Sequence, residues 1–316
     1  MSFADGMKAL SEPLTKLIEA VSGAIGKAYE PRHMRKLTDA KVYQIERISE
    51  AIRKNSDLPI VYTGDEPSIN ISDYEELRKR AGYRLAYQEI SKQENIESIV
   101  DKAYIDLEGK EMESSDDISP EWMNRFINMA GEISTEEMQR IWAKVLAGEV
   151  VKPSSFSMKT LDCLSNMSQK DAELFSKIAN YVVTDMAVYG NSDINSKYNI
   201  QYADMLMLDD CGLINSNGAI MTNKVENKKQ PIMWLGEYCL FAQSEKQGTI
   251  EYREYPLTRA GKELFTIAQN KDIGPQYLID VANSLKKEYP DIMFYLHKIT
   301  ARNQNSINVN EEESLV

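Results

Sequence analysis

The sequence predicts a mainly α-helical protein in which a multi-helix bundle is followed by a C-terminal α+β domain. Three observations lead to this prediction. Apolar residues recur at helical spacing in most segments before residue 190. Stretches rich in Pro, Gly, Asp and Ser separate those segments. After residue 190, short strand-like runs alternate with turns.

The first predicted helix lies in "LSEPLTKLIEAVSGAIGKAY", residues 10–29, with Ser11 as its N-cap and Pro13 in its first turn. Its apolar stripe is a core or oligomer contact in one interpretation. In the other the segment contacts a membrane, because its remaining faces carry small residues. Both interpretations stay open, and they share six candidate contact residues: Leu14, Ile18, Val21, Gly23, Ile25 and Gly26.

A basic stretch follows in "EPRHMRKLTDAKVYQIERISEAIRK". A solvated helix face explains such a run of charges most simply. An anionic lipid or nucleic acid, if one is bound, is expected here. The candidate partner contacts are Arg32, Arg35, Lys36 and Lys41.

Two linkers are predicted, and a helix from about Ser72 to residue 107 separates them. Residues 55–76 are rich in Pro, Gly, Asp, Asn and Ser, and residues 108–119 are acidic. Asp116 and Asp117 lie in the second linker, but a solvated turn explains this pair better than a metal site, because no third ligand is evident.

The clearest local signals lie between residues 119 and 182. Ser119–Pro120 opens a helix, and Ser134 with Glu137 fits a capping box for the next one. Gly148 is expected to end that helix in a left-handed conformation. Ser168 with Asp171 opens a further helix.

Gly148 to Ser157 is therefore expected to be a corner between two helices. Lys152, Ser154 and Ser155 are weak candidates for anion contact, because hydroxyls and free amides at a helix start suit an anion. The segment lacks a phosphate-loop pattern, which weakens this hypothesis.

The sequence pattern of the C-terminal part differs from that of the helical part. A helix over residues 199–211 is expected to end at Gly212, and two strand-like runs surround the turn "SEKQG". "PLTRAGKELF" then opens another helix, capped by Thr258. This order of a helix, two strands and a second helix resembles the wing region of a winged-helix domain. However, residues 199–211 contain three aspartates and no Lys or Arg, which favours a protein partner over DNA. A last helix near Pro275 to Glu288, the strand "DIMFYLHKI" and a disordered polar tail complete the prediction.

Composition and motifs argue against several function classes. The net charge of −12 disfavours general nucleic-acid binding. Only two histidines are present, and no phosphate-loop, Gly-x-Ser-x-Gly or His-Glu-x-x-His pattern occurs. Three widely spaced cysteines fit reduced, mostly buried thiols. We therefore predict no catalytic residue, no metal ligand and no cofactor.

Three blocks resemble a bacterial family of unknown function, domain family 2806. They cover residues 12–36, "KQENIESIVDKA" at 92–103, and the long block from "ISPEWMNRFINMAGEIS" to "DAELFSKIA" at 118–179. The resemblance implies a bacterial or phage-encoded protein without an established activity. The pattern "IWAKVLAGE" with "DAELF" is also similar to that of abortive-infection alpha proteins, which suggests phage defence.

Five parts are expected: N-terminal amphipathic helices at 1–55, a linker and helix at 56–112, a helical core at 113–195, a winged-helix-like domain at 196–296 and an acidic tail at 297–316. The leading hypothesis is a non-enzymatic interaction protein of antiphage defence, cytoplasmic or peripheral at the inner membrane. It would act through a protein partner, homo-oligomerisation or peripheral membrane contact. The alternatives are a winged-helix nucleic-acid-binding regulator and an enzyme with a carboxylate or metal site.

Overall fold

A computed structural model describes residues 10–26, 29, 71–268, 274–302, 307–310 and 314–316. The chain divides into two compact units, Met1–Ser155 and Phe156–Val316. The fold is mixed α+β, because the second unit contains two four-stranded antiparallel sheets. The predicted combination of a helical part with a C-terminal part that contains strands is confirmed at this level, although more of the C-terminal sequence pairs as strands than its short runs indicate.

The structure describes four helices in the first unit. They are α1 (Glu12–Ile25), α2 (Ile71–Leu107), α3 (Pro120–Ala130) and α4 (Glu136–Val151). Helix α1 packs mainly on α3, and α2 packs mainly on α4. Residues 108–119, between α2 and α3, contain no helix or strand, as predicted.

Three aromatic side chains form the centre of this unit. The Trp122 and Phe126 rings stack with centroids 5.1 Å apart, and Phe126 meets Trp142 at 5.2 Å. All three are buried together with most of the apolar stripe of α1. Burial of aromatic surface of this size stabilises the unit.

A polar network joins α2 to α4 beside this apolar core. The Gln139 side chain is only 6% exposed, and its amide nitrogen donates to the Ile133 carbonyl at 2.9 Å. Ser98 Oγ donates to the Gln139 side-chain oxygen at 2.7 Å, and Lys102 Nζ donates to Ser98 Oγ at 2.6 Å. Because a buried amide must be hydrogen-bonded, this network fixes the register between the two helices.

The ends of α4 differ from the prediction. Thr135 is the N-cap, and no side-chain capping bond is present, so Ser134 and Glu137 do not form the expected capping box. Helix α4 also continues through Gly148 to Val151. The left-handed residue of the corner is Ser154, with φ 70°. Its backbone N–H donates to the buried Glu149 carboxylate at 2.7 Å, which stabilises this conformation without a glycine.

The second unit contains six described helices and eight strands. The helices are α5 (Met158–Asn166), α6 (Gln169–Ala179), α7 (Ser192–Lys197), α8 (Tyr202–Asp210), α9 (Arg259–Ala268) and α10 (Gln276–Glu288). The strands are β1 (Val182–Val183), β2 (Ala187–Tyr189), β3 (Ala219–Val225), β4 (Gln230–Leu235), β5 (Tyr238–Gln243), β6 (Gly248–Pro256), β7 (Met293–Arg302) and β8 (Ile307–Val309). The capping box of Ser168 and Asp171 opens α6 as predicted.

The two sheets have the strand orders β1-β2-β6-β3 and β4-β5-β7-β8. Strand β6 pairs with β2 on one side and β3 on the other. The turn "SEKQG" therefore joins strands of different sheets, since β5 pairs with β4 and β7. The sequence indicated both strands correctly, but not which strands pair.

The last residues of the chain extend the second sheet. Strand β7 contains most of the predicted closing strand, and β8 pairs with it through Ile299–Val309 and Arg302–Ile307. The Leu315 N–H donates to the Leu296 carbonyl at 2.9 Å. The described part of the predicted tail is thus ordered rather than disordered, because β7 offers it an edge for pairing.

Candidate protein-interaction surface

Helix α8 is fixed at both ends by local contacts. At its start, the Gln201 N–H donates to the Asp204 carboxylate at 2.8 Å. At its end, the helix stops before Gly212, as predicted, and Gly212 takes the left-handed conformation with φ 73°. The Thr258 hydroxyl donates to the Gly212 carbonyl at 2.6 Å and so anchors this turn to the start of α9.

The helix is apolar on both sides. Met205 and Leu208 point into the core of the unit and are buried. On the opposite side Tyr202 is 54% exposed, Leu206 44% and Met207 47%. The aspartates of α8 lie in its first and last turns, so its middle is apolar both towards the core and towards solvent, and its outer side exposes large apolar side chains.

These exposed residues form one continuous surface, which we name the α8 face: Tyr202, Ala203, Leu206 and Met207. Tyr202 with Leu206 and Ala203 with Met207 lie four residues apart, so their side chains are neighbours along the helix. The Tyr202 ring also meets the Tyr255 ring of β6 at 6.1 Å. The aromatic surface thus extends from the helix onto the first sheet.

The sequence that forms α8 and its flanking turns is acidic, although Lys177 of α6 donates to the Asn199 carbonyl before the helix. The sequence from Tyr198 to Asn223 contains no Lys or Arg, and Asp210 is exposed at the end of the helix. Asp209 accepts hydrogen bonds from the backbone N–H and the hydroxyl of Ser216, so its charge is fixed in place. A surface of this kind attracts apolar groups and cations and repels phosphates.

The six candidate residues of α1 are not available as one contact surface. Leu14, Ile18 and Val21 are buried in the first unit, and Ile25 is half-buried. Gly23 is exposed, and Gly26 is the left-handed C-cap with φ 68°. Burial of Leu14, Ile18 and Val21 within their own unit fits the interpretation of this stripe as a core contact, and a membrane or oligomer contact stays a prediction.

The four candidate partner contacts of the basic stretch lie outside the described residues, so their role stays a prediction: Arg32, Arg35, Lys36 and Lys41.

The anion candidates at the corner between α4 and α5 are described, and other groups of the protein contact them. Lys152 pairs with Glu113 at 3.3 Å, and the Ser155 hydroxyl donates to the Lys152 carbonyl at 2.6 Å. The geometry of this corner therefore does not support an external anion.

An internal carboxylate occupies the start of the next helix. The Ser157 N–H donates to Glu263 Oε2 at 2.6 Å, the Thr160 hydroxyl donates to the same oxygen, and Arg259 Nε donates to Oε1 at 2.8 Å. Burial raises the pKa of the Glu263 carboxyl, but these hydrogen bonds outweigh burial and hold the pKa below its usual value. The anion at this helix start is the protein's own Glu263, and it contacts Ser157 and Thr160 instead of the predicted Lys152, Ser154 and Ser155.

The cysteines are free thiols whose surroundings disfavour reactivity. Burial raises the pKa of Cys163 and Cys211, and it raises the pKa of Cys239 to about 12. A thiol with a raised pKa is a poor nucleophile at neutral pH. Within the described residues, no group of three His, Cys, Asp or Glu side chains is placed to hold a metal ion.

Comparison with known families adds one match. Residues 79–194 match the model of the family described as "Protein of unknown function (DUF2806)". The chain contains a DUF2806 domain. The family prediction from the sequence is thereby confirmed, and the blocks at 92–103 and 118–179 lie inside the matched range. No curated protein and no solved structure matches the chain.

The DUF2806 match begins within α2 and ends within α7, so the α8 face lies outside it. Sequence reasoning identified α8 as an acidic helix but missed its exposed apolar side. The signal was present in "YADMLML", where apolar residues occupy almost every position instead of following a helical period.

Among the described helices, none combines the length and apolar character needed to cross a bilayer.

Proposed function

We propose that this protein is a non-enzymatic interaction protein whose second unit binds a protein partner through the α8 face. The observation that carries the proposal is the exposure of Tyr202, Leu206 and Met207 on one side of a helix whose other side is core. Side chains of this kind are the usual anchors of protein interfaces, because they bury large apolar area at a low cost in entropy.

A winged-helix architecture for this unit is part of the proposal. Support comes from the order α6, β2, α7, α8, β3, β6 along the chain, with β6 paired to both β2 and β3. In a winged helix, three helices and a three-stranded sheet follow one another in this way. Helix α8 then corresponds to the recognition helix, and β3 and β6 form the wing, with β4 and β5 inserted between them.

The chemistry of α8 favours protein over nucleic acid as the partner. A recognition helix that binds DNA needs cations for the phosphates and polar groups for the base edges. Helix α8 instead presents apolar side chains, and the nearest basic residues along the chain are Lys197 and Lys224. At this helix, no observation therefore supports the alternative of a nucleic-acid-binding regulator.

A role in antiphage defence is the biological part of the proposal, and it rests on the similarity of "IWAKVLAGE" and "DAELF" to abortive-infection alpha proteins. Oligomerisation also belongs to the proposal, with light scattering of the full chain as its measurement. We do not extend the proposal to membrane contact by α1, because the stripe of that helix is buried.

Site-specific photo-crosslinking tests the interaction directly. A photoreactive phenylalanine derivative at Leu206 is expected to give one adduct of discrete mass in the host. The same group at Met293, an exposed apolar residue of β7, serves as the matched control. Equal adduct patterns at both positions, or no adduct at Leu206 with or without phage, would argue against the α8 face as an interface.

Phage plating tests the defence role. Cells carrying the wild-type gene are expected to give fewer plaques than cells with an empty vector. The double variant Leu206→Asp with Met207→Asp should lose this protection, whereas Met293→Asp should keep it. Equal plaque numbers with wild type and empty vector across a broad phage panel would remove the defence proposal and leave the crosslinking result to decide the interaction.

A further inference from the structure

A cavity of about 360 Å³ lies beside the second sheet, away from α8. Its lining residues are Lys229, Phe241, His297, Ile307, Asn308 and Val309. They come from the residue before β4 and from β5, β7 and β8. A volume of this size is at the lower end of the range for sites that bind small molecules.

The charge of the lining differs from that of the whole chain. The sequence has 49 acidic and 37 basic residues, yet the lining contains one lysine and no carboxylate. Lys229 is half-buried, and none of the carboxylates that the structure describes forms an ion pair with it. Its ammonium instead lies 4.4 Å from the centre of the Tyr295 ring. A half-buried ammonium that faces a cavity rather than a carboxylate favours an anionic ligand.

The remaining wall is aromatic and apolar because of the strand register. Phe241 of β5 lies opposite Tyr295 of β7, and Cys239 lies opposite His297, so these side chains share one face of the sheet. The His297 ring is nearly parallel to the Tyr295 ring at 6.3 Å and meets the Phe241 ring edge-on at 5.8 Å. His297 is only 1% exposed, so it is a fixed part of the wall.

Strand β8 completes the cavity. Ile307, Asn308 and Val309 line this side of the cavity. The site therefore combines one cation with an aromatic and aliphatic wall. This combination suits a ligand that has an anionic group and a compact planar ring.

We propose that this cavity binds a small organic anion with a planar ring, either an aromatic carboxylate or a nucleoside monophosphate. The ammonium of Lys229 neutralises the anionic group. The planar part of the ligand lies against the wall that Phe241 and His297 form. This inference does not depend on the α8 face, so the two proposals are tested separately.

Isothermal titration of the full chain tests the proposal with benzoate and AMP as the two anionic probes. Benzamide and adenosine are their neutral counterparts, and inorganic phosphate is the anion without a ring. At least one ring-bearing anion is expected to bind at least about tenfold more tightly than its neutral counterpart, because a charge-assisted hydrogen bond is lost in the latter. The probe that binds identifies whether the site prefers a carboxylate or a phosphate ester.

Two variants assign the binding to this cavity. Lys229→Met keeps most of the length of the side chain, removes its charge, and is expected to weaken binding at least about tenfold. Lys228→Met, at the exposed neighbouring residue, is the control and should bind like the wild type. The absence of binding by both anions at millimolar concentration would overturn the proposal. So would unchanged affinity in Lys229→Met with an unchanged unfolding midpoint, or equal affinity for AMP and inorganic phosphate.

Discussion

Gly261 packs directly against the backbone of Leu213. A β-carbon built on Gly261 would lie 2.0 Å from the Leu213 carbonyl oxygen, far inside any allowed contact. Thr258 reinforces the same junction, because its backbone N–H donates to the Leu213 carbonyl at 2.9 Å and its hydroxyl accepts from the Gly261 N–H at 3.1 Å. The Thr and Gly of "LTRAG" therefore hold the start of α9 against the turn after α8.

Gly261→Ala is expected to destabilise the second unit by about 3 kcal/mol or more, because the methyl group meets rigid backbone rather than a flexible side chain. Urea unfolding followed by circular dichroism measures the change. Gly274→Ala is the matched control, since a β-carbon there meets no atom within 4 Å. Equal stability of the two variants would contradict the close approach of α9 to Leu213.

Glu263→Gln is expected to cost about 2 kcal/mol at neutral pH, because hydrogen bonds to a charged carboxylate at the start of α5 become bonds to a neutral amide. The pKa of Glu263 is lowered in the folded state, so its contribution is present above the usual carboxyl value of 4.5. The contribution is lost as the pH falls below 4.5 and through the lower folded-state pKa.

Unfolding free energies of wild type and Glu263→Gln should therefore converge as the pH is lowered from 7 towards 3. The difference between the two proteins isolates Glu263 from the other carboxylates, which titrate in both. A difference that stays constant over this range would show that the charge of Glu263 does not stabilise the start of α5.

Ile18→Ala is expected to destabilise the first unit by about 2–5 kcal/mol, as for other buried aliphatic side chains. Glu19→Ala, on the exposed side of the same helix, should change stability by less than about 0.5 kcal/mol. Thermal unfolding of the full chain compares the two variants. If Ile18→Ala unfolds like the wild type, the stripe of α1 is not a core element and the membrane interpretation returns.

Substitutions on the two sides of α8 are expected to behave oppositely. Leu208→Ser removes a fully buried side chain and places a hydroxyl in the core, which should cost about 3 kcal/mol or more. Leu206→Ser on the exposed side should leave stability within about 0.5 kcal/mol of wild type. A large loss of stability in Leu206→Ser would mean that this residue supports the fold and is not free to bind a partner.

The local signals of the sequence predicted the helices well. The helix start at Ser168 and Asp171, the N-cap of α1 at Ser11 and the end of α8 before Gly212 all lie where the sequence places them. Each of these features depends on contacts within about four residues, which a short stretch of sequence encodes. The predicted end of α4 at Gly148 failed, because nearby apolar residues stay buried in a longer helix up to Val151.

By itself, the sequence determined the family, the positions of most helices and the acidic, Lys- and Arg-free character of α8. The tertiary structure alone decided which strands pair, which carboxylate occupies the start of α5 and which side of α8 is exposed. Glu263 and Ser157 are 106 residues apart, and strands β3 and β6 pair across an inserted hairpin. The physical reason is that such contacts depend on how distant segments pack, and a local sequence pattern does not specify its distant partner.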